Sequence, residues 1–210
     1  MTNGSLQDSR WVDPVFRTSA AVVTAWFVGR AMKAFLETPQ NIILVLLVIS
    51  EMISLITIIL SRRPTIRDIH PAYMVLTVCA SFVVPLFISV RDNIELIPQW
   101  IGALASGIGL VWIIYAKLSL GRSFGLLAAK RVIKVKGAYS FVRHPIYAGY
   151  FIVHVAFLLT SYDHVNLVVI VSLYCMQVLR ALREESVLLK DDLYAAYCRE
   201  VPYRFIYGVF

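Results

Sequence analysis

Charge is scarce in this sequence, and acid is scarcer than base. Asp, Glu, Lys and Arg make up 16% of the 210 residues, where a soluble domain would carry roughly a quarter. Thirteen acidic residues face 20 Lys and Arg, for a net charge of +7. Cysteine is limited to Cys79, Cys175 and Cys198, an odd number without a CxxC spacing. That excludes a disulfide framework and a cysteine zinc site, and no His, Cys or carboxylate grouping has metal-ligand spacing, so no metal is expected. Residues 1–13 lack the basic-then-apolar layout of a cleavable signal peptide, and no internal repeat of the kind built into many transporters is visible.

What the chain has instead is apolar length. Hydrophobic residues reach 59%, the mean hydropathy is +0.73, and the excess is gathered into runs near the ~20 residues that cross a bilayer as helix. The fold class that follows is all-α: a polytopic integral membrane helical bundle. Spans are expected at 41–60, 69–90 (kinked at Pro85), 98–118, 146–162 and 165–182, five in all, with a further candidate at 14–36. Gly102, Ala105, Ser106 and Gly109 stand at three- and four-residue spacing on the 98–118 span, so a neighbouring helix can approach it closely. The Ser106-Gly-Ile-Gly-Leu110 stretch follows no strand, so it is not a nucleotide loop. The turn 161–164 is short enough to make the last two spans an antiparallel hairpin. Glu51, inside an apolar run, is expected to face other helices, protonated or paired.

Cations set the orientation. The loops at 61–68 and 117–145 and the tail after 182 fall on one side of a five-span arrangement, and the cation-poor loops 91–97 and 161–164 fall on the other. Lys and Arg concentrate in cytoplasmic loops, so the basic side is expected to be cytoplasmic. The same rule explains the net charge without nucleic acid, which is not expected as a partner.

The segment 117–145 contains no Asp or Glu and is too long for an idle connector. Its apolar residues Phe124, Leu126, Leu127, Val132, Ile133 and Val135 predict that it folds back against the helices. It ends in a polar knot, Gly137-Ala-Tyr-Ser-Phe-Val-Arg-His-Pro-Ile-Tyr147, where the chain enters an apolar run. The hairpin returns Arg180, Arg183, Glu184 and Glu185 to the same side, near His144. Arg180 and Glu184, four apart, share a helix face. They read either as a helix-end ion pair or as a cation and a carboxylate offered to a ligand. His144 and His70, each before a proline, also read as helix-start residues, and His154 reads as a packed core group.

Leu120-Gly-Arg-Ser-Phe124, Gly137-Ala-Tyr139, Arg143-His-Pro-Ile-Tyr147, Glu184-Glu185 and Tyr194-Ala-Ala-Tyr197 follow one another in an order that resembles the isoprenylcysteine carboxyl methyltransferase family and its bacterial relatives. The resemblance covers about the last 90 residues; the helices before Leu118 match only in being apolar. Arg131, where the family often has His, and Tyr207, where it usually has Pro, depart from the pattern. The resemblance implies a membrane methyltransferase that uses S-adenosylmethionine (SAM). By position, Tyr139, His144, Pro145, Ile146, Tyr147 and Glu184, with backbone around Val132 and Ile133, would line the cofactor pocket. Arg180 would hold the acceptor and Arg143 would support the site. Residues 1–116 would then be membrane helices and 117–210 the cofactor-binding region of one compact unit.

The chemistry suits these residues. Tyr rings attract a sulfonium by cation–π interaction, worth about 0.5–2 kcal/mol. A carboxylate acceptor needs no general base, only alignment and desolvation, whereas an amine acceptor would need His144 or Glu184 to remove a proton. The partners expected are membrane lipids and a lipophilic methyl acceptor entering from the bilayer. O-methylation of an isoprenylcysteine-like acceptor and N-methylation of a phospholipid headgroup both fit. From another class, a non-catalytic membrane subunit or small transporter would use Glu51 and Pro85 as marks of a polar pathway.

Overall fold

The computed structural model describes residues 12–37, 39, 41–61, 66–67, 70–83, 87, 94–123, 129–130 and 133–209. Pro85, Phe124, Leu126, Leu127, Arg131 and Val132, named above, lie outside them, as do residues 1–11. The described chain is helical: α1 Val12–Glu37, α2 Ile42–Ile59, α3 Pro71–Val78, α4 Gln99–Leu120, α5 Pro145–Thr160, α6 His164–Leu188 and α7 Asp192–Glu200. By length and composition Arg17–Glu37, Gln99–Ser123 and His164–Leu188 can each cross a membrane, while Ile43–Ile59, Pro71–Ser81 and Pro145–Thr160 are shorter apolar helices. The 69–90 span, expected as one kinked helix, instead passes at Val78 into a π turn over Cys79–Val83. The expected candidate at 14–36 is the longest helix of those described.

The small residues of α4 do what their spacing predicts. A Cβ at Gly109 would lie 2.7 Å from Val153 Cγ2 and 3.1 Å from the carbonyl oxygen of Gly149, and a Cβ at Gly149 would lie 2.5 Å from Ile113 Cγ1. Backbone therefore meets backbone where α4 crosses α5, and these two helices make the most extensive contact among the described elements. Trp112 locks the start of α5 by donating its indole N–H to the Pro145 carbonyl at 2.9 Å.

Because α5 turns its small face to α4, it leaves α6 with little to pack on. The hairpin expected from the short turn does form, but its legs touch sparsely. The His154 Nδ1–Tyr174 hydroxyl contact at 2.9 Å and the Phe151–Tyr174 ring edge, centroids 5.1 Å apart, link them midway. His154 is the packed core group expected.

On the other flank, α2 meets α4 through Lys117. That residue, counted with the basic segment in the sequence, turns inward and is fully buried. Its Nζ donates to Ser50 O at 3.1 Å, Ser50 Oγ at 2.8 Å and Ser54 Oγ at 2.6 Å, and Glu51 Oε1 stands 3.8 Å away. Glu51 thus faces another helix, where Lys117 is its partner.

Two small bridges sort the loops. Ile66–Arg67 pairs antiparallel with Ala129–Lys130, tying loop 61–68 to segment 117–145. Ile94 pairs with Tyr162, tying the two cation-poor loops together. Each bridge joins loops that charge alone places in the same set.

Candidate functional site

The polar knot is built on a glycine. Gly137 adopts φ +69°, a left-handed conformation that favours glycine, and its Cβ position lies 3.0 Å from Ser119 Cβ. Ser119 Oγ accepts from the Ala138 N–H at 3.3 Å. The short 3-10 turn Gly137–Ser140 that follows buries Tyr139, and the chain then turns at Phe141 before reaching His144.

The C-terminal tail completes the knot. Arg143 N donates to Tyr203 O at 2.9 Å and His144 N to Arg204 O at 2.8 Å, so the tail pairs with the two residues before Pro145. His144 occupies the N-cap position of α5 without making a side-chain cap bond. Its ring reaches Glu185 instead, Nε2 to Oε1 at 3.0 Å.

Glu185 is the hub. Its Oε2 accepts from Arg143 Nη1 at 3.3 Å and Arg204 Nε at 3.0 Å, and its side chain is only 3% exposed. Arg143 adds a bond from Nη2 to Pro202 O at 2.9 Å and a contact from Nη1 to Cys198 Sγ at 3.2 Å. Charge-assisted bonds of this kind are about twice as strong as neutral ones. Arg143 Nε is the one buried side-chain polar atom without a partner among the described residues.

Aromatic rings line the same place. His144 stacks on Tyr147, centroids 5.6 Å apart, and Phe205 closes on both at 5.4 and 6.2 Å. The Tyr197 hydroxyl donates to Tyr139 O at 2.7 Å. Burial first, then the carboxylate of Glu184, pushes the Tyr139 phenol well above its ordinary range. Tyr194 and Tyr197, buried with Val201, are pushed up by desolvation as well.

Most of the residues expected at the site converge. Tyr139, His144, Pro145 and Tyr147 surround the knot, Ile146 follows at the start of α5, and Ile133 packs on the Tyr194–Tyr197–Val201 cluster. Arg143 supports the assembly through Glu185 and the tail. Arg180 and Glu184 share a face of α6 but do not pair. Arg180 Nη1 donates to Gln177 Oε1 at 2.9 Å and Ser81 Oγ at 3.2 Å, with its Cζ 5.6 Å from the Tyr147 ring centre. Glu184 makes no ion pair with any described residue and is half-buried. Its carboxylate is thus open to a ligand cation.

Glu185, expected near His144 but given no role, belongs to the site, as do Arg204 and Phe205, which were not expected there. The signal was available for the first of them: Arg143 and His144 entering an apolar run need a buried anion, and of two adjacent glutamates only one can face inward.

Beside the knot lies a cavity of about 560 Å³ in the gap between α5 and α6, lined also by Trp112 and by Phe205, Ile206 and Tyr207 of the tail. Its walls include Phe151, Ile152 and Val178 and are almost wholly apolar. Tyr147 belongs both to this wall and to the His144 stack. The charged knot, with the Glu184 carboxylate unpaired among the described residues, therefore adjoins an apolar cavity of a size that suits small-molecule ligands.

The model of the isoprenylcysteine carboxyl methyltransferase (ICMT) family matches residues 103–190. No curated protein matches the chain.

Proposed function

We propose, from the match of the isoprenylcysteine carboxyl methyltransferase family model to residues 103–190, that the chain is a membrane methyltransferase of that family and transfers methyl from SAM to the carboxylate of an isoprenylcysteine-like or other lipophilic acceptor. The observation that carries this reading is the position of Tyr147, shared between the charged, aromatic knot and the apolar cavity.

The residues present suit the cofactor. Glu184 offers a carboxylate unpaired among the described residues to an amino group, Tyr139 and Tyr147 offer ring faces to a cation, and Ile133 packs on the Tyr194–Tyr197–Val201 cluster nearby. Arg143 fixes Glu185 and thereby the orientation of His144. When bound, SAM supplies an electrophilic methyl on a sulfonium, which a carboxylate accepts without losing a proton.

The remaining work is positional. Phe205, Ile206 and Tyr207 add apolar surface to the cavity wall, and a carboxylate desolvated there and held in line reacts with an effective molarity that lowers the barrier by several kcal/mol, up to about 7–11. The gap between α5 and α6 admits a lipid tail from the bilayer. The basic loops tied by the Ile66–Lys130 ladder would face the cytoplasm, where the knot would meet a cytosolic cofactor. Five or six crossings would then include the shorter helices.

Calorimetry in detergent tests the reading. SAM should bind the purified protein, with at least tenfold loss in Glu184→Ala and in Tyr147→Ala. Methyl label from SAM should appear in membranes as a base-labile ester. A base-stable product would mean N-methylation, and absence of SAM binding would end the methyltransferase reading.

A further inference from the structure

Arg180 is the cation expected to hold the acceptor, yet its Nη1 is engaged by Ser81 Oγ and Gln177 Oε1. A guanidinium only donates. The Gln177 amide must therefore turn its oxygen to Arg180, which sends its NH₂ the other way. Gln177 is buried at 9% exposure and forms part of the wall of the apolar cavity. Among the described residues no group accepts from its Nε2.

Two other polar groups of that wall are already engaged. The Trp112 indole donates to Pro145 O, and the Tyr174 hydroxyl meets His154 Nδ1. A donor oriented by a fixed cation and left without an acceptor in an apolar wall is selective toward a ligand oxygen.

We infer that Gln177 is a specificity-determining residue of the acceptor cavity, donating its amide N–H to one carboxylate oxygen of the acceptor, with Arg180 as its positioning residue. The inference rests on the methyltransferase reading for the identity of the acceptor and on the geometry for the contact. It also has a chemical advantage. A direct bidentate arginine would occupy both oxygens and draw off their charge, whereas one neutral donor fixes one oxygen and leaves the other nucleophilic.

Equilibrium binding of two probes to the protein in lipid nanodiscs tests this. N-acetyl-S-farnesylcysteine carries the carboxylate; S-farnesyl-N-acetylcysteamine is the same thioether without it. Wild type should prefer the first about tenfold. Gln177→Leu should lose that preference through weaker carboxylate binding alone, with affinity for the thioether and for SAM unchanged. Gln177→Glu, which keeps the shape and the Arg180 contact, should disfavour the carboxylate. Arg180→Met should reduce the preference in wild type and change nothing further in Gln177→Leu.

Equal binding of the two probes by wild type, or a preference that survives both Gln177 variants, would overturn the inference. The two failures are separable. Discrimination without SAM binding ends the methyltransferase reading and keeps the contact, while SAM-dependent methylation without discrimination does the reverse.

Discussion

At the residue scale, two adjacent glutamates carry different burdens. Glu185 is desolvated among Arg143, Arg204 and His144, so removing its charge leaves buried cations unopposed. Breaking a buried pair from one side costs about 3–5 kcal/mol. Glu184 is half-buried and makes no ion pair with a described residue. Glu185→Gln is therefore expected to lower the unfolding free energy in detergent by about 3 kcal/mol or more, whereas Glu184→Gln should stay within about 1 kcal/mol of wild type and lose SAM affinity. Equal destabilisation by both would contradict this division. The doublet was visible in the sequence, but which member faces inward was not. That depends on the rotation of α6 about its axis, which the tail and the π turn help to fix.

At the element scale, the arrangement follows from where α5 presents its small residues. Gly149 meets α4 rather than α6, so the hairpin legs part and a cavity forms between them. Gly109→Ala would thrust a methyl against Val153 and the Gly149 carbonyl, and overpacking of this kind costs about 1–3 kcal/mol. Gly107→Ala is the control, since its added Cβ would meet only Ile43 Cδ1 at 3.5 Å. Thermal unfolding in detergent should separate them, Gly109→Ala melting several degrees lower and Gly107→Ala no lower than wild type. The small-residue stripe was legible as a packing face. Its partner was not, because spacing on one helix does not say which neighbour has a matching notch.

At the scale of the whole molecule, the C-terminal tail and α7 close the polar end of the bundle, and they do so with buried phenols. Tyr139, Tyr194 and Tyr197 all have pKa values raised above the ordinary 10.0, first by desolvation. Folded-state values above unfolded ones mean that the stabilisation is complete below pH 10 and is lost as pH rises past it. There the unfolded phenols ionise while the folded ones hold their protons, each contributing a slope of about 1.4 kcal/mol per pH unit. The melting temperature in detergent should be insensitive to these groups up to about pH 9 and fall steeply above 10. Tyr194→Phe should make that fall shallower. A fall that is unchanged in this variant would remove Tyr194 from the account.

The sequence by itself determined the class of molecule and the division of its loops, because hydropathy and charge act locally and add along the chain whatever the packing. It also marked the neighbourhood of the site, since Arg143, His144 and Pro145 at the mouth of an apolar run demand partners. Tertiary structure alone decided who those partners are. Glu185 was chosen over Glu184, Arg180 was turned to Gln177 and Ser81, and the gap between α5 and α6 became a cavity. Each of these outcomes depends on helix rotation and on which faces meet, and those are set by side-chain packing between segments far apart in sequence.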